Sequence, residues 1–284
     1  MRCRRRRQVG TIAAAMPARR ASAEEESHVD SRWLVNDPGR PDAELRLFCL
    51  SYAGGSASVY HRWRTLVPAY LDVAAVELPG RGRRLGEPAF HRLSPLVRAM
   101  ATALEPALDR PFALFGHSMG GLLAFELART LRERGLPAPV HLFVSAAAAP
   151  ALPRGRPQVH SAPDEELKSE LRYLNGTPPE VLEDAELMAL TLPILRADYS
   201  VLENYEYRLA RKLDLPITVF GGDADHTVAR SSLAAWRDET SARTTLQLVR
   251  GDHFFVRGAA PQVVRGVVRA LEPQRSRVPA AFGY

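Results

Sequence analysis

Cysteine is almost absent. The 284 residues contain two, Cys3 and Cys49, one in the N-terminal stretch and one inside an expected strand. A disulfide framework is therefore not expected, which fits a reducing compartment and a cytoplasmic protein. No apolar run approaches the roughly 20 residues of a membrane helix, so no membrane partner is expected. Histidine, cysteine and acidic residues show no metal-ligand spacing, and no metal or cofactor is implied. No internal repeat is evident. Acidic residues are missing from residues 1–20, which carry Arg2, Arg4, Arg5, Arg6, Arg7, Arg19 and Arg20. The formal charge is +6, and removing those seven arginines leaves −1. The basicity belongs to the tail, and no nucleic-acid partner is expected from the near-neutral body. The apolar part of that tail, Val9 to Ala15, is interrupted by Pro17 and Arg19-Arg20, too broken for the core of a signal peptide. The preferred reading is a translation start at Met16, with residues 1–30 a disordered basic tail.

What is present is a chain that is 46% hydrophobic, enough for one α/β domain with insertions. It is organised around Phe112-Ala113-Leu114-Phe115-Gly116-His117-Ser118-Met119-Gly120-Gly121. A short apolar run reads as a buried strand. Gly116-His117-Ser118-Met119-Gly120 is a G-x-S-x-G turn. Leu122, Leu123, Phe125, Leu127 and Ala128 follow at helical spacing. By composition alone such a turn recurs in roughly one chain in ten of this length, so the motif is weak by itself. Strand, tight turn and helix together make it a nucleophile elbow, with Ser118 strained and exposed above the sheet. The Met119 N–H, at the helix start, can then face an oxyanion.

The rest of the chain alternates strands and helices. Strands are expected at Leu45–Leu50, Val73–Leu78, His141–Ser145, Pro216–Phe220 and Thr245–Val249. Helices are expected at about Ala57–Val67, Leu93–Leu104, Ser231–Glu239 and Pro261–Leu271, with a C-terminal tail at 273–284. Alternation implies a mostly parallel sheet, with site residues at the carboxyl ends of its strands. Ser51-Tyr52-Ala53-Gly54-Gly55-Ser56 is a loop whose backbone can supply the second oxyanion donor. Pro79-Gly80-Arg81-Gly82-Arg83-Arg84 is a basic loop that reads first as a solvated turn and second as a phosphate site. From about 150 to 211 strand signals vanish. Leu167, Leu171 and Leu174 fall at i, i+4, i+7, and the segment reads as a helical lid over an apolar chamber.

Three titratable candidates lie at strand ends, in the order Ser118, Asp223 or Asp225, His253. A serine hydroxyl needs a base, and a carboxylate must orient that base. Of eight histidines, His253 alone follows the last strand downstream of the acid. His117 diverges from its neighbour Ser118, and His226 adjoins an acid too closely to be oriented by it. His28, His61, His91, His141 and His160 lack strand-end context. Asp225 is favoured as the acid, with Asp223 nearer the strand end and suited to fixing the turn.

These residues resemble the discrete type II thioesterases that accompany polyketide and nonribosomal peptide synthetases. The resemblance rests on Ser51-Tyr52-Ala53-Gly54-Gly55-Ser56, Leu78-Pro79-Gly80-Arg81-Gly82, Gly116-His117-Ser118-Met119-Gly120-Gly121, Gly176-Thr177-Pro178-Pro179, Leu195-Arg196-Ala197-Asp198, Gly221-Gly222-Asp223-Ala224-Asp225 and Gly251-Asp252-His253-Phe254-Phe255. They span about Trp33 to Leu271 in family order. One departure is Ser51, where many members have proline. The resemblance implies the α/β-hydrolase fold over residues 31–272. It implies hydrolysis of acyl groups from the phosphopantetheine arm of a carrier protein. The chain has no Asp-Ser-Leu attachment motif of a carrier protein, so a free-standing enzyme, expected as a monomer, is read as acting on a carrier in trans. The resemblance carries over Ser118 as nucleophile, His253 as base, Asp225 as acid, and the Ala53 and Met119 N–H groups as the oxyanion hole. Arg81, Arg83 and Arg84 are expected to meet the acidic carrier. A small-molecule carboxylesterase would share the triad. A non-catalytic binding protein of the same fold is the third reading, disfavoured by the presence of all three triad members.

Overall fold

The structure is a computed structural model that describes residues 32–35, 39–153 and 158–275. The expected tail at 1–30 and residues 276–284 lie outside the described residues. The elements run β1 Leu34–Val35, β2 Leu45–Leu50, α1 Trp63–Leu66, β3 Leu71–Val76, α2 Leu93–Leu104, β4 Phe112–His117, α3 Met119–Glu133 and β5 His141–Ser145. They continue α4 Asp164–Leu174, α5 Pro179–Glu183, α6 Ala185–Glu203, β6 Ile217–Gly222, α7 Arg230–Ala234, β7 Thr244–Val249, α8 Phe255–Gly258 and α9 Ala260–Arg275.

The sheet order is β1-β3-β2-β4-β5-β6-β7. All pairings are parallel except β1 with β3. Strands β2, β3, β4 and β5 are buried along their whole length. That is why they are mostly apolar without a strict alternation; the two charges inside them, Arg46 of β2 and Asp72 of β3, pair with each other at 3.1 Å. Alternation decides only which layer each side chain enters. Phe48 and Leu50 face a core shared with α2 and α3. Leu47 and Cys49 face one shared with Trp63 of α1 and Val263, Val264 and Val267 of α9.

The topology places the site. From β2 the chain crosses to β3 on one side, and from β4 to β5 on the other. β2 and β4 are neighbours, with Leu50 opposite Gly116. Their carboxyl ends form the switch point at which ligands of open α/β sheets bind. The Ser51–Ser56 loop and Ser118 leave the sheet side by side at that crevice.

Some boundaries differ from expectation. The helix expected at Ala57–Val67 is a 3₁₀ turn, Ala57–Tyr60, followed by the single turn of α1. The break is set by packing: the Tyr60 hydroxyl donates to Leu50 O at 2.7 Å, and the Tyr60 and Trp63 rings stand edge-on to each other and to Phe115. Helix α7 likewise continues as a 3₁₀ turn, Ala235–Glu239. Helix α9 runs past Leu271 to Arg275. Helix α3 stops where Gly135 takes φ 68° and the Leu136 N–H reaches back to Leu131 O, a glycine-closed helix end.

The helical segment between β5 and β6 forms a core of its own. Leu167, Leu171 and Leu174, on one face of α4 as their spacing predicts, pack with Leu182, Met188, Leu192, Leu195 and Tyr199. Among the described residues no helix is long and apolar enough to cross a membrane. Nor do any of them form a cluster of three or more His, Cys, Asp or Glu side chains able to hold a metal ion.

Candidate active site

Ser118 sits at φ 53°, ψ −115°, outside the ordinary helix and strand regions. Such strain persists only where the surroundings over-determine it. Here the Ser118 N–H donates to Ser145 O at 2.7 Å and the Gly121 N–H to Ser118 O at 2.9 Å. The flanking glycines are required by close approach. A Cβ on Gly116 would lie 1.9 Å from Gly120 O, and one on Gly120 would lie 2.2 Å from Leu50 O. The G-x-S-x-G spacing is thus the spacing at which β4, the turn and the neighbouring strand end touch backbone to backbone.

The structure brings Ser118, Asp225 and His253 together, from the ends of β4, β6 and β7. His253 Nε2 lies 3.0 Å from Ser118 Oγ, and His253 Nδ1 lies 2.9 Å from Asp225 Oδ2. A carboxylate only accepts, so Nδ1 carries the proton and Nε2 presents a lone pair to the serine hydroxyl. The Asp225 side chain is 2% exposed. Burial alone would raise its pKa, but the hydrogen bond and charge of His253 and the donors of Thr227 outweigh it and lower it to about 2. Asp225 stays ionised. Asp223 is placed differently: it is exposed, and its Oδ1 accepts the Gly251 N–H at 2.9 Å, tying the turn after β6 to the turn after β7.

Two contributors were not anticipated. The Thr227 hydroxyl donates to Asp225 Oδ1 at 2.7 Å and lies 2.9 Å from His253 Nδ1, so it touches both partners. Its signal is an Asp-x-Thr spacing too common to single out. His117 does point away from the Ser118 hydroxyl, but to a purpose. Its Nε2 donates to the backbone carbonyl of His253, and Nδ1 lies 2.8 Å from Ser145 Oγ. The carbonyl fixes the Nε2–H tautomer, so Ser145 donates. Burial, then the nearby His253, lower the His117 pKa to about 3. Burial likewise lowers that of His141 to about 4.

These two shifts fix the sign of an acid sensitivity. Unfolded, both rings take up a proton near their ordinary 6.5, whereas the folded protein refuses it until pH 4 to 3. The unfolded state binds more protons in that window, so stability is full above about pH 6.5 and falls as pH drops toward 4. Each group costs up to about 1.4 kcal/mol per pH unit in the window. Urea midpoints of wild type and His141→Phe at pH 7, 5.5 and 4.5 check this. Phenylalanine keeps the stacking on Phe143, so the variant loses less stability on acidification than wild type. Parallel losses would contradict the assignment.

Comparison with known proteins decides the family. A family model described as a thioesterase domain matches residues 45–271. The chain is 42% identical over 241 residues to the gramicidin S biosynthesis protein GrsT of Aneurinibacillus migulanus, covering 85% of this chain and 94% of that one. Among solved structures it is similar to RedJ, a thioesterase of the prodiginine pathway in Streptomyces coelicolor. That match has TM-score 0.76 and 38% identity over 80% of this chain and 85% of that one. It is also similar to the type II thioesterase BorB of the borrelidin cluster, with TM-score 0.78 and 38% identity over 86% and 99%. The chain belongs to the thioesterase family. The parallel sheet flanked by helices is the α/β-hydrolase fold that the sequence led us to expect.

Beside Ser118 the thioesterase holds a cavity of about 590 Å³. Its floor is the small-residue run Ala146–Ala149 after β5, and Leu171, Leu174, Val181 and Leu195 of the helical segment form a wall. Ala53 and Met119 line it beside Ser118. The flanking donors of the Ala53 loop are engaged: Gly54 N–H with Asp198 Oδ2 at 2.7 Å and Gly55 N–H with Tyr52 O at 2.9 Å. The Ala53 N–H takes no part in these bonds. Ser51 donates its hydroxyl to Gly55 O at 2.9 Å, a hydrogen bond across the loop that restrains it.

One expectation is overturned. Arg81 and Arg84 are not a docking surface, for each is 4% exposed. Arg81 is paired with Asp198. Arg84 pairs with Glu87, donates to Glu77 O and lies over the Trp33 ring. Of the three, Arg83 alone is exposed. The same pairing removes the phosphate reading of this loop. The glycines beside the arginines allow the backbone to tuck them inward: a Cβ on Gly82 would lie 2.0 Å from Glu77 Oε2.

Proposed function

We propose that this protein is a discrete type II thioesterase that hydrolyses aberrant or stalled acyl groups from the phosphopantetheine arm of carrier proteins of a polyketide or nonribosomal peptide synthetase. The observation that carries the reading is His253, bridging Ser118 Oγ and Asp225 at 3.0 and 2.9 Å at the mouth of a mostly apolar cavity. In this reading residues 31–272 are the hydrolase domain and 150–211 its lid. The enzyme acts as a cytoplasmic monomer on a carrier met in trans.

The chemistry follows from the positions of the groups. His253 Nε2 takes the Ser118 proton as Oγ attacks the thioester carbonyl. The carbonyl oxygen becomes an alkoxide, stabilised by the N–H groups of Ala53 and Met119. Asp225 keeps the imidazolium oriented and offsets its charge. Collapse expels the phosphopantetheine sulfur, which leaves as a thiol with the proton from His253. Water, deprotonated by the same Nε2, then attacks the acyl–Ser118 ester and frees the acid. The cavity wall supplied by Leu171, Leu174, Val181 and Leu195 gives the acyl chain an apolar lodging.

The test compares kcat/KM for one acyl group carried either on a phosphopantetheinylated carrier protein or on a nitrophenyl ester. The carrier-bound thioester is expected to be favoured by tenfold or more. A preference for the free ester would make the protein a small-molecule carboxylesterase instead.

A further inference from the structure

Two segments that carry the family resemblance contain charged residues with no role in the reaction as written: Leu78-Pro79-Gly80-Arg81-Gly82 and Leu195-Arg196-Ala197-Asp198. They meet in the fold. Arg81 Nη1 lies 2.7 Å from Asp198 Oδ2, and Nη2 lies 2.8 Å from Oδ1. This is a two-pronged pair with planar specificity, and the side chains are 5% and 3% exposed. Asp198 Oδ2 also accepts the Gly54 N–H at 2.7 Å, and Arg81 Nη1 reaches Gly55 O at 3.3 Å. Helix α6 is seated hard against this loop, for a Cβ on Gly54 would lie 2.7 Å from Leu195 Cδ2. At the far end of the loop the Ala57 N–H donates to Glu77 Oε1 at 3.1 Å.

A peptide unit is planar. The Ala53 N–H belongs to the Tyr52–Ala53 peptide, whose carbonyl accepts the Gly55 N–H at 2.9 Å, and the next peptide is restrained by the Gly54 N–H on Asp198, so the peptides on both sides of Ala53 are restrained. We propose that Asp198, held by Arg81, positions the Ala53 N–H for the oxyanion, so that helix α6 of the lid is a working part of the catalytic apparatus. Both are positioning residues, and the inference rests on the reading of Ala53 as an oxyanion donor.

Stability alone is a weak reason for such a pair. Replacing a buried ion pair by apolar residues of similar volume is often neutral or better, and Arg81 Nε here has no partner. What an apolar pair cannot offer is an acceptor for the Gly54 N–H.

The test uses the whole protein and a short acyl thioester of N-acetylcysteamine, with the matching trifluoromethyl ketone, whose hemiketal oxygen imitates the oxyanion. The double variant Arg81→Met/Asp198→Leu removes both charges of the pair together, and Arg84 remains beside Glu77. The variant is expected to melt cooperatively while kcat falls about ten- to hundredfold, a part of what losing an oxyanion donor costs. KM stays within threefold, and the ketone binds correspondingly less tightly. A cooperative melt with kcat within twofold of wild type overturns the inference, as does a raised KM with unchanged kcat. Should the double variant not melt cooperatively, Asp198→Asn and Asp198→Ala carry the test. Asparagine still offers an oxygen to Gly54, so its kcat exceeds that of the alanine variant by fivefold or more, whereas equal values overturn the proposal. Wild-type protein that neither cleaves the thioester nor binds the ketone would overturn the proposed function itself, and this inference with it.

Discussion

Ser118→Ala is expected to abolish hydrolysis, lowering kcat by roughly five to six orders of magnitude, the scale that follows removal of the nucleophile of a triad acting as a unit. The hydroxyl makes one hydrogen bond, to His253 Nε2, and its loss opens no cavity in the core. The backbone at φ 53° is held by Ser145 O and by the contact of Gly116 with Gly120, none of which involves the hydroxyl. The melting temperature is therefore expected within about 2 °C of wild type. Turnover within tenfold of wild type, on carrier-bound or free thioester, would contradict the assignment of the nucleophile.

Asp225→Asn is expected to lower kcat by about 10⁴, by analogy with the orienting aspartate of serine proteases. The hydrogen bonds around Asp225 explain why an isosteric change does so much. Its Oδ1 accepts from the Thr227 N–H, the Thr227 hydroxyl and the Val228 N–H. An asparagine oxygen is drawn to those donors, which turns its NH₂ toward His253 Nδ1. Nδ1 must then accept, the ring proton moves to Nε2, and no lone pair faces Ser118. Asp223→Asn leaves the His253 contact untouched and costs less than tenfold, since Asp223 serves the Gly251 N–H. Steady-state kinetics of the two variants check this, and a larger loss in the Asp223 variant would transfer the role.

The sheet was legible because β2 to β5 are buried on both faces and therefore mostly apolar in sequence, with the charges of Arg46 and Asp72 paired inside it. Ser118 was legible because its turn admits glycine alone on either side, for the backbone contacts measured at Gly116 and Gly120. The break in the helix expected at Ala57–Val67 was not legible. It follows from Tyr60 and Trp63 meeting Phe115, some 50 residues away, and no local pattern announces such a contact. The basic loop after β3 misled for the same reason. Charge in sequence does not reveal a partner 117 residues distant, and Arg81 has one in Asp198. Thr227 was missed because a threonine near an aspartate is ordinary until the imidazole is seen beside both.

The central claim is that Ser118 carries the acyl group between carrier and water. Acid quenching during the first turnover on an acyl-carrier protein, followed by digestion and mass spectrometry, tests it most directly. The account predicts the acyl mass on the peptide containing Ser118, with the carrier returned to its bare phosphopantetheine mass, and no such adduct in Ser118→Ala. Acyl groups released by wild type and by Ser118→Ala alike, or found on a different residue, would contradict it.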